Sequence, residues 1–143
     1  MKTIQQLLGD KPRTPLTVKP TDSVLVGLEA MAKADVGALL VMEGDRLLGL
    51  FSERDYARKI VLQGKVSRDT SVQEVMKENV CYVEPHQTVD EAMALMTDKR
   101  VRYLPVLTDQ KKVIGIISIG DLVKETIADQ AFVIQQLEHY IAS

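Results

Sequence analysis

The sequence predicts an α+β fold in which one strand, helix, strand, strand, helix unit is used twice, and three observations lead there. The chain repeats itself: Pro20, Val24, Met31, Val36, Leu39 and Val41 recur as Pro85, Val89, Met96, Val101, Leu104 and Val106 at a shift of 65 residues. Past the loops Met42 to Arg46 and Thr108 to Lys112 the shift becomes 66, so Gly49-Leu50-Phe51-Ser52-Glu53-Arg54-Asp55 returns as Gly115-Ile116-Ile117-Ser118-Ile119-Gly120-Asp121. Within each copy the apolar spacing also switches between helical and extended periods in the same order.

Each copy opens on a short apolar helical turn, since Ile4, Leu7 and Leu8 echo Val72, Val75 and Met76 at a shift of 68. Leu16-Thr17-Val18 and Cys81-Tyr82-Val83 follow as short strands, each stopped two residues later by a proline that has no N–H to give a ladder. Val24, Leu28 and Met31, and again Val89, Met93 and Met96, fall at i, i+4 and i+7, which turns one apolar helix stripe toward a core. Ser23 and Thr88 stand as N-caps, Thr88 with Glu91 as a capping box. Ala38 to Met42 and Leu47 to Phe51 flank the turn-forming Glu43-Gly44-Asp45-Arg46 and predict an antiparallel hairpin. Leu104 to Leu107 and Val113 to Ile117 repeat it, with Pro105 putting its strand at an edge or bulge. A second helix follows each Ser-x-x-Asp, from about Glu53 to Leu62 with Gly64 as its stop, and from about Ile119 onward.

A sheet covered by helices on one face leaves the other apolar, so each copy is expected to bury that face against its twin. The expected partition is 1–64 for the first repeat with its lead-in, 65–127 for the second with linker and lead-in, and 128–143 for a helical tail. Phe132, Val133, Leu137, Tyr140 and Ile141 give that tail more apolar surface than a solvated segment requires.

A composition of 45% hydrophobic and 27% charged residues excludes a disordered or fibrous chain, and a net charge of -2 with mixed signs offers no footprint for nucleic acid. No apolar run reaches the length that crosses a bilayer, and the first residues lack the apolar core of a secretory signal, so a cytosolic location is expected. Cys81, the single cysteine, reads as an inert thiol in an apolar run, and neither His86 nor His139 belongs to a metal-spaced cluster, so no metal is predicted.

Ser-x-x-Asp at a strand-to-helix junction has a structural meaning, a reciprocal cap, and a compatible second one. The helix start offers N–H groups and a positive dipole end to phosphate, and a carboxylate one turn in accepts bonds from a ribose diol. Arg100 and Arg102, two apart on an expected strand, share a face by alternation; the guanidinium fork of Arg102 suits phosphate as well as it suits a surface ion pair, while Arg100 suits the surface better.

This twofold repeat, with Gly-apolar-apolar-Ser-x-x-Asp closing each copy and Arg102-Tyr103-Leu104-Pro105-Val106 on the preceding strand, resembles a tandem pair of CBS domains, the Bateman module. The resemblance covers nearly the whole chain and is to the stand-alone bacterial proteins assigned to signal transduction. It implies two β-α-β-β-α repeats packed sheet to sheet as one module, with clefts between them for adenine ligands: AMP, ADP, ATP and, in some members, NAD or S-adenosylmethionine. It implies that Asp55 and Asp121 hold ribose hydroxyls and that Ser52 and Ser118 meet phosphate. Thr17-Val18-Lys19 and Tyr82-Val83-Glu84 would border the adenine. Gly37-Ala38 and its counterpart Arg102-Tyr103, then Pro105, Arg54 and Ile119-Gly120, complete the expected site. Because Glu53-Arg54 faces Ile119-Gly120 in the alignment of the septets, the two clefts need not take the same ligand.

The resemblance further implies a disc-like homodimer through the helices after Ser52 and Ser118, where Tyr56, Ala57, Ile60 and Val61, and Leu122, Val123, Ile127, Ala131 and Ile134, carry apolar surface on more than one side. Three function classes follow. The first is a non-enzymatic sensor of adenine nucleotides. The second, an enzyme, lacks a candidate base, metal cluster or glycine-rich phosphate loop. The third is a ligand-free interaction module in which the Ser-x-x-Asp boxes are only caps.

Overall fold

Thr3 starts the first helix by a reciprocal cap: its hydroxyl accepts from the Gln6 N–H at 3.2 Å and its own N–H donates to Gln6 Oε1 at 3.0 Å. The computed structural model describes residues 2–9 and 15–142, with side chains through His139. Helix α1 (Ile4–Leu8) is followed by β1 (Thr17–Val18), α2 (Val24–Ala34), and the hairpin β2 (Ala38–Glu43) and β3 (Arg46–Ser52). The hairpin turns on Gly44, whose φ of 59° is a conformation glycine adopts without strain. β1 lies parallel to β2, with Thr17 opposite Leu40 and Val18 opposite Val41. Behind β3 come α3 (Glu53–Asp55) and a π-helix, Tyr56–Val61, so the expected helix is present with a widened turn.

The second copy contains α4 (Val72–Val75), α5 (Val89–Lys99), β4 (Tyr103–Leu107), β5 (Val113–Ser118) and α6 (Ile119–Ala142). Ser23 and Thr88 cap α2 and α5 as expected, accepting from Val26 N–H at 3.2 Å and Glu91 N–H at 3.1 Å. The Glu91 carboxylate accepts from the Thr88 hydroxyl at 3.3 Å, so the pair closes through the side chain. The two helices also end alike, on the left-handed residues Asp35 (φ 55°) and Arg100 (φ 54°). Arg100 is therefore a helix C-cap, not the strand residue that alternation implied.

The expected strand Cys81-Tyr82-Val83 shrinks to a single bridge between Val83 and Val106. Val83 N–H donates to the Pro105 carbonyl at 3.0 Å, and Leu107 N–H donates to the Val83 carbonyl at 2.9 Å. Further back the ladder would need an N–H from Pro105, which has none.

Two cores, one per copy, are joined by a third. Ala38, Leu40 and Leu50 of the first hairpin pack against Tyr103, Val113 and Ile116 of the second, the sheet-to-sheet contact that the apolar outer faces required. The short lead-in helices are exchanged. Ile4 of α1 is fully buried in the second core with Val89, Met96 and Leu122, while Val72 and Val75 of α4 are buried in the first with Val24, Met31 and Phe51. Matching backbone bonds hold the exchange: Ile4 N–H to Gln87 and Gln5 N–H to Pro85 on one side, Val72 N–H to Asp22 and Gln73 N–H to Pro20 on the other.

The septet glycines serve this exchange. A Cβ on Gly49 would lie 2.7 Å from Met76 Sδ and 2.8 Å from the Lys77 carbonyl, and one on Gly115 would lie 3.0 Å from Leu8 Cδ2.

Ile60 and Leu122, expected among the left-over apolar residues, belong to the cores. α6 does not fold back. Over its 24 residues, about 36 Å at 1.5 Å per residue, it leaves Ile127, Phe132, Val133, Ile134 and Leu137 more than half exposed. The Tyr140 and Ile141 side chains lie outside the described residues.

Candidate functional site: two clefts between the repeats

The sheet-to-sheet packing sets the closing septet of each repeat against the opening segment of the other. A first cleft of about 700 Å³ has Leu16, Thr17, Gly37 and Ala38 of the first repeat on one wall and Ile116, Ser118 and Asp121 of the second on the other. A second cleft of about 470 Å³ has Cys81, Arg102 and Tyr103 on one wall and Leu50, Ser52 and Asp55 on the other. These are equivalent positions: Leu16 and Cys81, Gly37 and Arg102, Ala38 and Tyr103, Ser118 and Ser52, Asp121 and Asp55 trade places from one cleft to the other.

Both septets form the cap that sequence alone suggests. Asp55 Oδ2 accepts from the Ser52 N–H at 3.1 Å and from its hydroxyl at 3.0 Å, and Asp55 N–H donates to Ser52 Oγ at 3.3 Å. In the second septet Ser118 N–H donates to Asp121 Oδ2 at 2.9 Å and Asp121 N–H to Ser118 Oγ at 3.1 Å. The cap engages one carboxylate oxygen of Asp55; the other, Oδ1, lies 3.9 Å from Lys59 Nζ. Capping thus fixes each carboxylate at a cleft wall.

Tyr103 lines both clefts. A Cβ at Gly37 would overlap its hydroxyl, so the absence of a side chain at Gly37 is what admits the ring. Burial first, and then the negative charge of Glu53, hold its phenol pKa above the ordinary value; Arg102 opposes this and Asp121 adds to it.

The remaining expected residues are spread more widely. Arg54 lines the second cleft and, with Arg100, Arg102 and Ile119, an adjoining hollow of about 300 Å³. Gly120 is exposed in the first turn of α6. Val18 and Val83 are buried in the two cores, and Pro105 is buried in β4. Lys19 is exposed, its N–H donating to Asp22 Oδ2 at 2.9 Å. Tyr82 lines a different groove, of about 900 Å³, between the two hairpin turns, where Lys111 Nζ meets its hydroxyl and lies 4.4 Å from its ring centre.

Sequence reasoning left Asp35, Arg58, Lys59, Lys77 and Arg100 out of the site, and the structure brings the first to one cleft and the other four to the second. Asp35 and Arg100 were reachable as the equivalent C-caps of α2 and α5; Lys77 was not, because its place depends on the segment after α4 pairing with β3 through Leu50. Among the described residues no group of His, Cys, Asp and Glu side chains is placed to hold a metal ion, and no helix is long and apolar enough to cross a membrane.

A family model described as the CBS domain matches residues 8–62 and again 72–127. The mitochondrial CBS domain-containing protein CBSX3 of Arabidopsis thaliana is 41% identical over 125 residues, covering 84% of this chain and 60% of that protein, so the chain spans less than two thirds of that relative. A solved structure of a protein with CBS domains from Burkholderia ambifaria MC40-6 superposes with a TM-score of 0.85 at 53% identity, over 90% of this chain and 96% of that one. At 22% identity a CBS domain protein from Pyrobaculum aerophilum, solved in complex with AMP, shares the fold with a TM-score of 0.76 over 84% of this chain and 89% of its own. Two matched stretches that together span most of the chain, on the paired sheets described above, make it a member of the CBS-domain family, built as a tandem CBS pair or Bateman module.

Proposed function

We propose that the chain is a non-enzymatic regulatory module of the cytosol that binds an adenine nucleotide between its two CBS repeats and signals through a change of shape or of partner affinity. One observation carries the reading: each cleft joins the capped Ser and Asp of one repeat to the opening segment of the other, so a ligand there touches both halves. A ligand shifts a conformational equilibrium only through different affinity for the two states, and a site divided between two packed bodies supplies that difference. The AMP complex of the Pyrobaculum protein supports the ligand class, with ADP, ATP and NAD as the other members to compare. The exposed apolar face of α6, including Ile127 and Ile134, supports a homodimer as the working assembly.

Thermal unfolding with AMP, ATP and NAD tests the reading. A nucleotide that binds only the folded chain, supplied at about 100 times its dissociation constant, adds about 2.7 kcal/mol. No shift with any of the three would leave a ligand-free interaction module, its Ser-x-x-Asp boxes serving only as caps. Light scattering tests assembly: the mass of a dimer is expected, and Ile127→Glu should lower it toward the 15.9 kDa of one chain by placing an unpaired charge in the contact.

A further inference from the structure

The two clefts are built from equivalent positions of the repeat and, among the described residues, differ in charge. Arg54, Arg58, Lys59, Lys77, Arg100 and Arg102 line the second cleft, and Asp55 is the one acid lining it among the described residues. Lys59 is already engaged, 3.9 Å from Asp55 Oδ1 and donating to the Val75 carbonyl at 3.0 Å. Among the described residues the other five form no ion pair. The contrast is written into the repeat. The positions equivalent to the six cations are Gly120, Lys124, Glu125, Gly9, Asp35 and Gly37, one cation and two acids. Arg100 and Asp35 show it most directly: both are left-handed C-caps with φ within a degree of one another, and they carry opposite charges to their respective clefts.

Like charges gathered on one hollow repel each other, and an anion that bridges them relieves the repulsion. Arg54, Arg100 and Arg102 line both the cleft and the smaller hollow beside it, so the cationic surface continues beyond the Ser52 and Asp55 end. A chain of two or three phosphates brings more negative charge to such a continuous surface than one phosphate does. Resting on the nucleotide reading above, we infer that the second cleft selects a nucleoside di- or triphosphate over a monophosphate, its phosphate chain running along the three arginines. The first cleft, which has an acid at the corresponding C-cap, does not make that selection.

Titration calorimetry on the full chain, with adenosine, AMP, ATP and inorganic tripolyphosphate as probes, tests this. ATP is expected to bind one site at least about tenfold more tightly than AMP, since one additional charge-assisted hydrogen bond is worth about that factor. Arg100→Asp, which installs the residue of the first repeat, should weaken ATP by a larger factor than AMP and so remove most of the ATP advantage. Arg54→Gly, at a second position on the same surface, should act in the same direction and guards against one variant failing to fold. Equal affinity of the unaltered chain for AMP and ATP overturns the inference and leaves the nucleotide reading standing. Tripolyphosphate matching ATP also overturns it, by reducing the cleft to a general anion site. Failure of adenosine, AMP and ATP alike to bind overturns the nucleotide reading itself.

Discussion

At one equivalent position the first repeat carries Leu40 and the second Pro105, and the two halves of the molecule part there. Leu40 N–H donates to the Leu16 carbonyl at 2.9 Å, which holds β1 against β2 and makes a three-stranded sheet. Pro105 has no N–H to offer Cys81, the counterpart of Leu16, so the second sheet keeps two strands and a lone bridge. The released segment takes another course. Cys81 lines the second cleft, while Tyr82 lines the groove between the hairpin turns, although its counterpart Thr17 lines the first cleft. A duplicated module thus acquires two different sites first through its backbone: one lost donor re-aims a wall before any charge is exchanged.

The largest difference between the halves is expected at the septet glycines. Gly49→Ala presses a methyl group against a backbone carbonyl that cannot yield, and Gly115→Ala presses one against the flexible end of Leu8. Urea unfolding should show a loss of about 2 kcal/mol or more for the first, toward the upper part of the overpacking range, and under about 1 kcal/mol for the second. Equal losses would mean that the two lead-in helices are held equally stiffly. Next in size is the pair of aspartates. Asp55→Asn and Asp121→Asn should each weaken nucleotide binding in their own cleft by more than about 1 kcal/mol, as hydrogen bonds to charged groups do, with stability falling less. Unchanged affinity together with a lowered melting temperature would assign both acids to capping alone.

The smallest effect belongs to Pro105→Leu, which gives the second repeat the residue of the first. A new hydrogen bond is worth about 0.5–1.5 kcal/mol, and the lost rigidity of proline offsets about 0.4–1 kcal/mol of it, so stability should change little. Hydrogen exchange is the sensitive readout: the amide of residue 105 should be protected. An unprotected amide there would show that something other than the missing donor keeps Cys81 off the sheet.

What the sequence disclosed was whatever is local. The hairpins, the capped starts of α2 and α5 and the Ser-x-x-Asp boxes each depend on residues within a few positions of one another, and each is where the pattern puts it. The strand at Cys81 failed because its existence depends on a donor 24 positions away; proline marked an edge, but not which neighbour would go unpaired. Arg100 was misplaced because strand alternation was carried back into a helix end, where a left-handed residue resets the direction of the side chain. The cleft walls came from opposite repeats, which no spacing within one repeat encodes. Of the additional cations, Lys77 became visible only once the segment after α4 stood beside β3.

The exchanged lead-ins bear on the order in which the protein is made. Ile4 leaves the ribosome well before the residues that close the apolar cage over it, Val89, Met96 and Leu122, the last of them close to the end of the second repeat. A chain released before Leu122 is complete leaves Ile4 of α1 without its full apolar cover, and a first repeat lacking α4 lacks Val72 and Val75 from its own interior. Such distant closure slows folding and exposes sticky surface while it is pending. The pair, rather than either repeat, is therefore the smallest length of chain that closes both repeat interiors.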